Sequence, residues 1–369
     1  MLNAQFTVAP YFSDNMVLQR DQPVHIWGKA SPGIKISVSL LNQKKSTIVQ
    51  SDSSWDIYLN PTRANSHPSI LIVQSGAIKK IYENVLIGDV WLCIGQSNML
   101  FSMREEMHYK AEVKNAKEPL LRFYNPSYIG KDIYNQQFSD SMLQRLNKEN
   151  FYSQASWNPS DSHYFSSMTA VGYYFGKELV NDLNIPIGLI NLSIGGAPIE
   201  TFINQDVLKK DKRATNKVNG NWINNNAIPA WVRTRATQNV GGLLNAPYDN
   251  YGPSHAFKPG FAFNAGINPL TKFPIKGVIW YQGESNAQEI ESVNEYGELF
   301  ALMVNDYRNK WALPKLPFYF AQLSSIDTIN YKGQLWHYFR EEQRKLVQTI
   351  KYTGMAVTSD IGFRNNVHP

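Results

Sequence analysis

Five apolar runs set the strongest limit on what this chain folds into. They are VLIGDVWLCIG (85–95), IPIGLINLSIG (185–195), IKGVIWYQG (275–283), LPFYFAQL (316–323) and TGMAVTSD (353–360). Runs that are apolar throughout, rather than alternating, read as strands buried on both faces, the pattern of a parallel sheet. Helical spacing separates several of them. Val171, Tyr174, Phe175, Leu179 and Leu183 recur every three or four residues. So do Tyr296, Leu299, Phe300, Met303 and Tyr307 and, more loosely, Phe339, Gln343, Leu346 and Ile350. Strands alternating with amphipathic helices predict an open, doubly wound α/β sheet over residues 85–369.

Residues 1–84 have a different texture. Short β-type runs at 24–28, 34–40, 54–59 and 69–74 are divided by turn signals at 31–33, 51–54 and 66–68. This predicts a small β-sandwich domain ahead of the α/β domain. Within the second domain, the stretches 101–165 and 201–272 lack strong periodicity and read as inserted loops that build substrate walls.

Bulk properties narrow the function. A hydrophobic fraction of 43% fits a packed globular chain rather than a disordered one. The net charge of +6 is spread thinly, with Lys–Lys pairs at 44–45, 79–80 and 209–210 but no dense stripe, so nucleic-acid binding is not expected. No run approaches the roughly 18 apolar residues of a membrane span, so membrane insertion is not expected. MLNAQFTVAPYF shows no signal peptide and reads like a mature start. The single Cys93 lies inside the first run and reads as a small core residue. No His/Asp/Glu cluster has metal-ligand spacing.

In such a sheet, ligands bind beyond the carboxyl ends of the strands. The first run ends in Gly95-Gln96-Ser97-Asn98-Met99. Ser97 there is either an exposed nucleophile, its own amide facing a developing oxyanion, or a polar turn or helix cap. The second run ends in Ser193-Ile194-Gly195-Gly196-Ala197. Paired glycines offer backbone donors to a ligand, or make an ordinary turn. The third ends in Gln282-Gly283-Glu284-Ser285-Asn286, where Gln282 offers a side-chain donor and Glu284 and Asn286 are able to brace the loop. The fifth ends near Asp360, and the chain continues to His368, a general base of suitable proton affinity. Nucleophile, donors and base after strands of one sheet are the parts that acyl transfer needs.

These residues carry a resemblance. FSDNMVLQRDQPVHIWGKA (12–30), GDVWLCIGQSNM (88–99), PIGLINLSIGGAPIETF (186–202), GVIWYQGESNA (277–287), LPFYFAQL (316–323) and the end MAVTSDIG…VHP (355–369) resemble the sialate O-acetylesterase family, a branch of the SGNH (GDSL-like) hydrolases. The resemblance implies a flavodoxin-like core with a five-stranded parallel sheet behind a small β domain. It implies a serine carboxylic-ester hydrolase that removes acetyl groups from sugars, most of all O-acetylated sialic acid, through a Ser–His acyl-enzyme route. It needs no cofactor, and it implies a periplasmic or secreted setting. An acetyl xylan or other plant-glycan deacetylase is the alternative enzyme; a sugar-binding protein with an impaired site is the alternative of another class.

By position, the resemblance makes Ser97 the nucleophile and His368 the base. Ser97, Gly196 and Gln282 form the oxyanion hole, with possible support from Gly195, Glu284 and Asp360. Two departures stand out. Many SGNH enzymes place Asp three residues before the histidine, where this chain has Asn365, followed by Asn366. The family also continues into a helix that pins the histidine loop, so a tail ending at Pro369 is expected to hold His368 loosely. For the sugar, Arg104 and Arg233, with Arg235, are candidate carboxylate partners. Trp222, with Trp157, Trp231 and Trp336, is a candidate stacking platform.

Overall fold

A computed structural model describes residues 5–161, 163–242, 247–327 and 333–368. The fold is α/β, organised on a large mixed sheet. Its main strands are β1 (Ile78–Gly95), β2 (Glu118–Tyr124), β3 (Trp157–Ser160), β4 (Ile187–Asn191), β5 (Gly277–Tyr281), β6 (Phe318–Ala321) and β7 (Thr353–Ala356). They lie in the order β3-β2-β4-β1-β5-β6-β7. All neighbours run parallel except β3, which pairs antiparallel with β2 at the edge. β1 is central, and the chain leaves it to one side first and returns to the other later. Its carboxyl end therefore opens at the crevice where such sheets bind ligands.

The five expected strands are all present, and the sheet is larger than expected. The expectation of a five-stranded parallel sheet is corrected to six parallel strands with an antiparallel edge. The extra pair, β2 and β3, falls in 101–165, which had read as inserted loop. EPLLRFY carries Pro119 and the buried Arg122, and WNPS carries Pro159 at the point where the register shifts. Proline is tolerated at a strand start or an edge, which hides such strands from a search for apolar runs.

Two of the helices bury the faces that their spacing predicts, whereas on Ala170–Leu183 the buried residues are Ala170, Gly172, Tyr173, Gly176 and Val180, with Val171, Tyr174, Phe175 and Leu179 half-buried and Leu183 exposed. Helix α1 is the short Ser97–Leu100, and α2 is Ala170–Leu183. α3 is Ala230–Ala236, α4 Ile290–Lys310 and α5 Trp336–Thr349. On α4, Tyr296, Leu299, Phe300, Met303 and Tyr307 are buried; on α5, Phe339, Gln343 and Leu346 are. The rings of Tyr296 and Phe339 lie 4.3 Å apart, joining the two helices. Each such apolar side chain contributes roughly 1.5–3 kcal/mol. Cys93 is fully buried in β1, and burial pushes its thiol well up, which leaves it a core residue.

Two smaller sheets precede the main one. Thr7–Val8, Val24–Lys29 and Ser54–Leu59 form one of them, antiparallel. Lys35–Leu40, Gln43–Ile48 and Asn65–Ser75 form the other, and it is continuous with the first half of β1. The boundary expected at 84/85 thus falls inside one 18-residue strand. Asn84 there has φ of 53°, a left-handed kink within the antiparallel part, whose pairing continues at Val85 and Ile87. Just beyond it, the buried Asp89 accepts from Gln19 Nε2 at 3.0 Å and from Arg20 Nε at 2.8 Å.

Candidate active site

β1 stops at Gly95, whose φ of 137° suits glycine. A Cβ at Gly95 would stand 2.1 Å from the carbonyl oxygen of Tyr281. That close approach turns the chain so that Ser97 opens α1, half-buried at the sheet edge. The Gln96 amide donates to Tyr281 O at 2.9 Å, and its side-chain Oε1 accepts from Ser285 N at 3.1 Å. The serine loop and the loop after β5 are therefore laced together.

The loop after β4 lies alongside. Ile194 N donates to Gly95 O at 3.0 Å. The Gly195 amide is committed to the Tyr128 hydroxyl at 2.9 Å, so Gly195 is a structural member of the loop. Gly196 has φ of 71°, and Ser285 Oγ donates to its carbonyl at 2.9 Å. Among the described residues, neither the Ser97 nor the Gly196 amide has an acceptor. An oxyanion hole draws on backbone donors left without an internal acceptor.

Gln282 differs from expectation and is a correction. It is fully buried, and its Nε2 donates to Asn286 Oδ1 at 2.7 Å and Ala197 O at 3.3 Å. Its amide braces two loops instead of offering a donor to a ligand. Asn286 is the hub of that brace. Its Oδ1 also accepts from Ile199 N at 3.0 Å, and its Nδ2 donates to Glu200 Oε2 at 3.0 Å. Behind Glu200 stands the buried Lys217, 3.1 Å from Glu200 and 2.7 Å from Glu295.

The tail returns to α1. Asn98 Nδ2 donates to Val367 O at 3.0 Å and to Glu284 Oε1 at 2.5 Å. The ring of His368 stacks on Phe101 at 5.7 Å, and its backbone amide donates to Asn366 Oδ1 at 3.0 Å. His368 thus lies along the short helix that Ser97 opens. Its Nε2 is buried and, among the described residues, has no hydrogen-bond partner, so no bond to Ser97 Oγ is formed. Catalytic hydrogen bonds are often long without substrate. Burial lowers the pKa of His368, which favours the neutral imidazole that a base needs, while the charge of Glu105 acts the other way.

The supporting acids divide. Glu284 is buried, and burial pushes its carboxyl up to about 7 despite the Asn98 hydrogen bond. It reaches the histidine loop only through Asn98. Asp360 is exposed, eight residues before His368, and no bond joins it to the ring. Glu105 is the acid whose charge bears on His368. It follows α1 and accepts from the Ser102 amide at 3.1 Å and from the Ser102 hydroxyl. The only sequence signal for Glu105 is the capping box S-x-x-E at 102–105, which speaks of a helix start and not of a histidine.

Arg104, Trp222 and Arg233 do not converge. Trp222 is buried, with Nε1 donating to Pro253 O at 2.8 Å, and is not a stacking platform. Trp157 and Trp336 are buried as well, whereas Trp231 is half-exposed. Arg233 Nε donates to Ile228 O at 2.9 Å, which ties it to its own loop. Arg104 is exposed next to Glu105.

Comparison with known proteins adds an independent line. Residues 264–368 match the family model for carbohydrate esterase, sialic acid-specific acetylesterase. The chain is 31% identical to human (Homo sapiens) sialate O-acetylesterase over 319 residues, covering 82% of this chain and 53% of that protein. It is 27% identical to the mouse (Mus musculus) sialate O-acetylesterase over 406 residues, covering 99% and 70%. The chain spans about half the length of the human relative. Among solved structures, a carbohydrate acetylesterase from Xanthomonas citri superposes with a TM-score of 0.76 at 29% identity, covering 98% of this chain and 71% of that one.

Proposed function

Because the chain belongs with the sialate O-acetylesterase family, we propose that it is a carbohydrate O-acetylesterase, acting on O-acetylated sugars with O-acetylated sialic acid foremost. We read its architecture as a flavodoxin-like SGNH core (85–369) behind a small β-sandwich (1–84). A periplasmic or secreted setting goes with that reading.

In the proposed reaction, Ser97 Oγ attacks the acetyl carbonyl while His368 Nε2 takes its proton. The amides of Ser97 and Gly196 receive the oxyanion. His368 then gives that proton to the departing sugar oxygen, which leaves as the free hydroxyl, and water, activated by the same ring, hydrolyses the acetyl-enzyme to acetate and free Ser97. Glu105 favours the imidazolium that forms, a charge that Asn365 is unable to supply. The observation that carries the reading is the clasp of Val367 by Asn98, the residue after Ser97, which brings an imidazole with an unpartnered Nε2 alongside α1.

The test is Ser97→Ala. On p-nitrophenyl acetate, kcat is expected to fall roughly 10⁴-fold or more while the protein stays folded. A fluorophosphonate probe should label the parent at Ser97 and leave the variant unlabelled. A folded variant that hydrolyses as fast as the parent removes the reading.

A further inference from the structure

A pocket of about 360 Å³ opens beside the Gly195-Gly196 loop, its walls including Asn135, Trp231, Thr234, Arg235, Gln288 and Glu289. Trp231 and Arg235 stand four residues apart on α3 and so share a face. The Trp231 indole donates to Ser285 O at 3.0 Å, which ties this wall to the loop after β5. The same ring lies 3.6 Å from where a Cβ of Gly196 would be. The Arg235 guanidinium sits over the Tyr134 ring, 5.4 Å from its centroid. The Tyr134 hydroxyl is 3.2 Å from the corresponding point at Gly195, and Leu100 of α1 borders that point at 3.7 Å. With Tyr134, Gly195 and Phe257 the guanidinium also lines a second, smaller cavity, so Arg235 stands between the larger pocket and the glycine loop that neighbours α1.

Among the described residues, no carboxylate lies within ion-pairing distance of Arg235. Glu289 faces the same pocket, but its Oε1 accepts from the Ala230 amide at 2.8 Å. Partial burial acts against the guanidinium's charge, and Tyr134 offsets it only in part. A half-desolvated guanidinium with an open fork is suited to a planar carboxylate, held by two parallel hydrogen bonds.

We propose that Arg235 is the specificity-determining residue of this site, pairing with the carboxylate of an acidic acetylated sugar whose ring lies against Trp231. The proposal rests on the esterase reading for its orientation toward Ser97. Neutral acetylated sugars lack the group that Arg235 takes.

The experiment compares O-acetylated sialic acid with its carboxyl methyl ester, which differs only in that charge. For the parent, kcat/KM should favour the free acid by roughly 10- to 100-fold, the range of a charge-assisted hydrogen bond. Arg235→Gln should bring the ratio near one, mainly by raising KM for the acid, and Arg235→Lys should restore part of it. A purely structural role lowers both substrates alike and keeps the ratio, which overturns the proposal. So does a parent enzyme that does not distinguish the two. Calorimetric binding of free sialic acid and its methyl ester to Ser97→Ala separates this site from the chemistry. If the parent hydrolyses neither ester yet binding still depends on the carboxylate and on Arg235, the acid site stands and the esterase reading falls.

Discussion

Two segments flank Ser97, and they are held in opposite ways. The loop 282–287 after β5 is buried along its whole length. Its side chains close a network from Gln282 through Asn286 and Glu200 to Lys217. The tail 361–368 is largely exposed and is held at few points. Asp327 N donates to Arg364 O at 2.8 Å, Asn98 holds Val367, and Phe101 carries the ring of His368. The difference teaches that the loop bracing the Ser97 and Gly196 turns is fixed by buried hydrogen bonds, whereas the segment proposed to carry the base is held from a more exposed position. Donors aimed at an oxyanion act best when they need no reorganisation. A base that must serve first one oxygen and then another gains from some play.

Three substitutions break or sharpen this contrast. The largest effect is expected for Lys217→Met, which leaves Glu200 buried without its cation. Such a loss costs about 3–5 kcal/mol, readable by urea denaturation. A loss below about 1 kcal/mol would mean that the buried loop does not depend on its charge pair.

Glu284 gives the next effect, and its sign is fixed by burial. The folded state holds the proton more tightly than the unfolded chain, up to about 7 against an ordinary 4.5. Stability is therefore fully present below 4.5 and is lost as pH rises through about 7. The full difference corresponds to about 3 kcal/mol. Glu284→Gln removes the titration, so it should gain about 2–3 kcal/mol over the parent at pH 8.5 and nothing at pH 4. Equal denaturation midpoints at pH 8.5 would speak against a carboxyl strained by burial.

The smallest effect is expected for Asn98→Ala, which frees the tail at Val367. Steady-state kinetics should show kcat lowered about tenfold with KM little changed, as a misplaced base predicts. A change in KM alone would assign the clasp to substrate binding instead.

Much of this was legible in the chain. The second half of β1 and strands β4 to β7 are the expected apolar runs, and the turns after β1, β4 and β5 are hydrogen-bonded to one another. β2 and β3 were hidden because Pro119, Arg122 and Pro159 disguise short strands as loop. The role of Gln282 depended on where its amide points, and that is decided by Asn286, four residues on, and not by Gln282 itself. Trp222 looked like a platform because a tryptophan in a polar stretch gives no hint of the Pro253 carbonyl that takes its N–H. Glu105 was missed because its link to His368 joins positions 263 residues apart.

β1 has a consequence for the whole molecule. One unbroken ribbon of 18 residues continues one of the leading sheets and serves as the central beam under the serine turn. A cut between the two portions would sever the ribbon that leads into the Ser97 turn. Heating is therefore expected to give one calorimetric transition for both regions, and two separate transitions would show that the ribbon does not couple them.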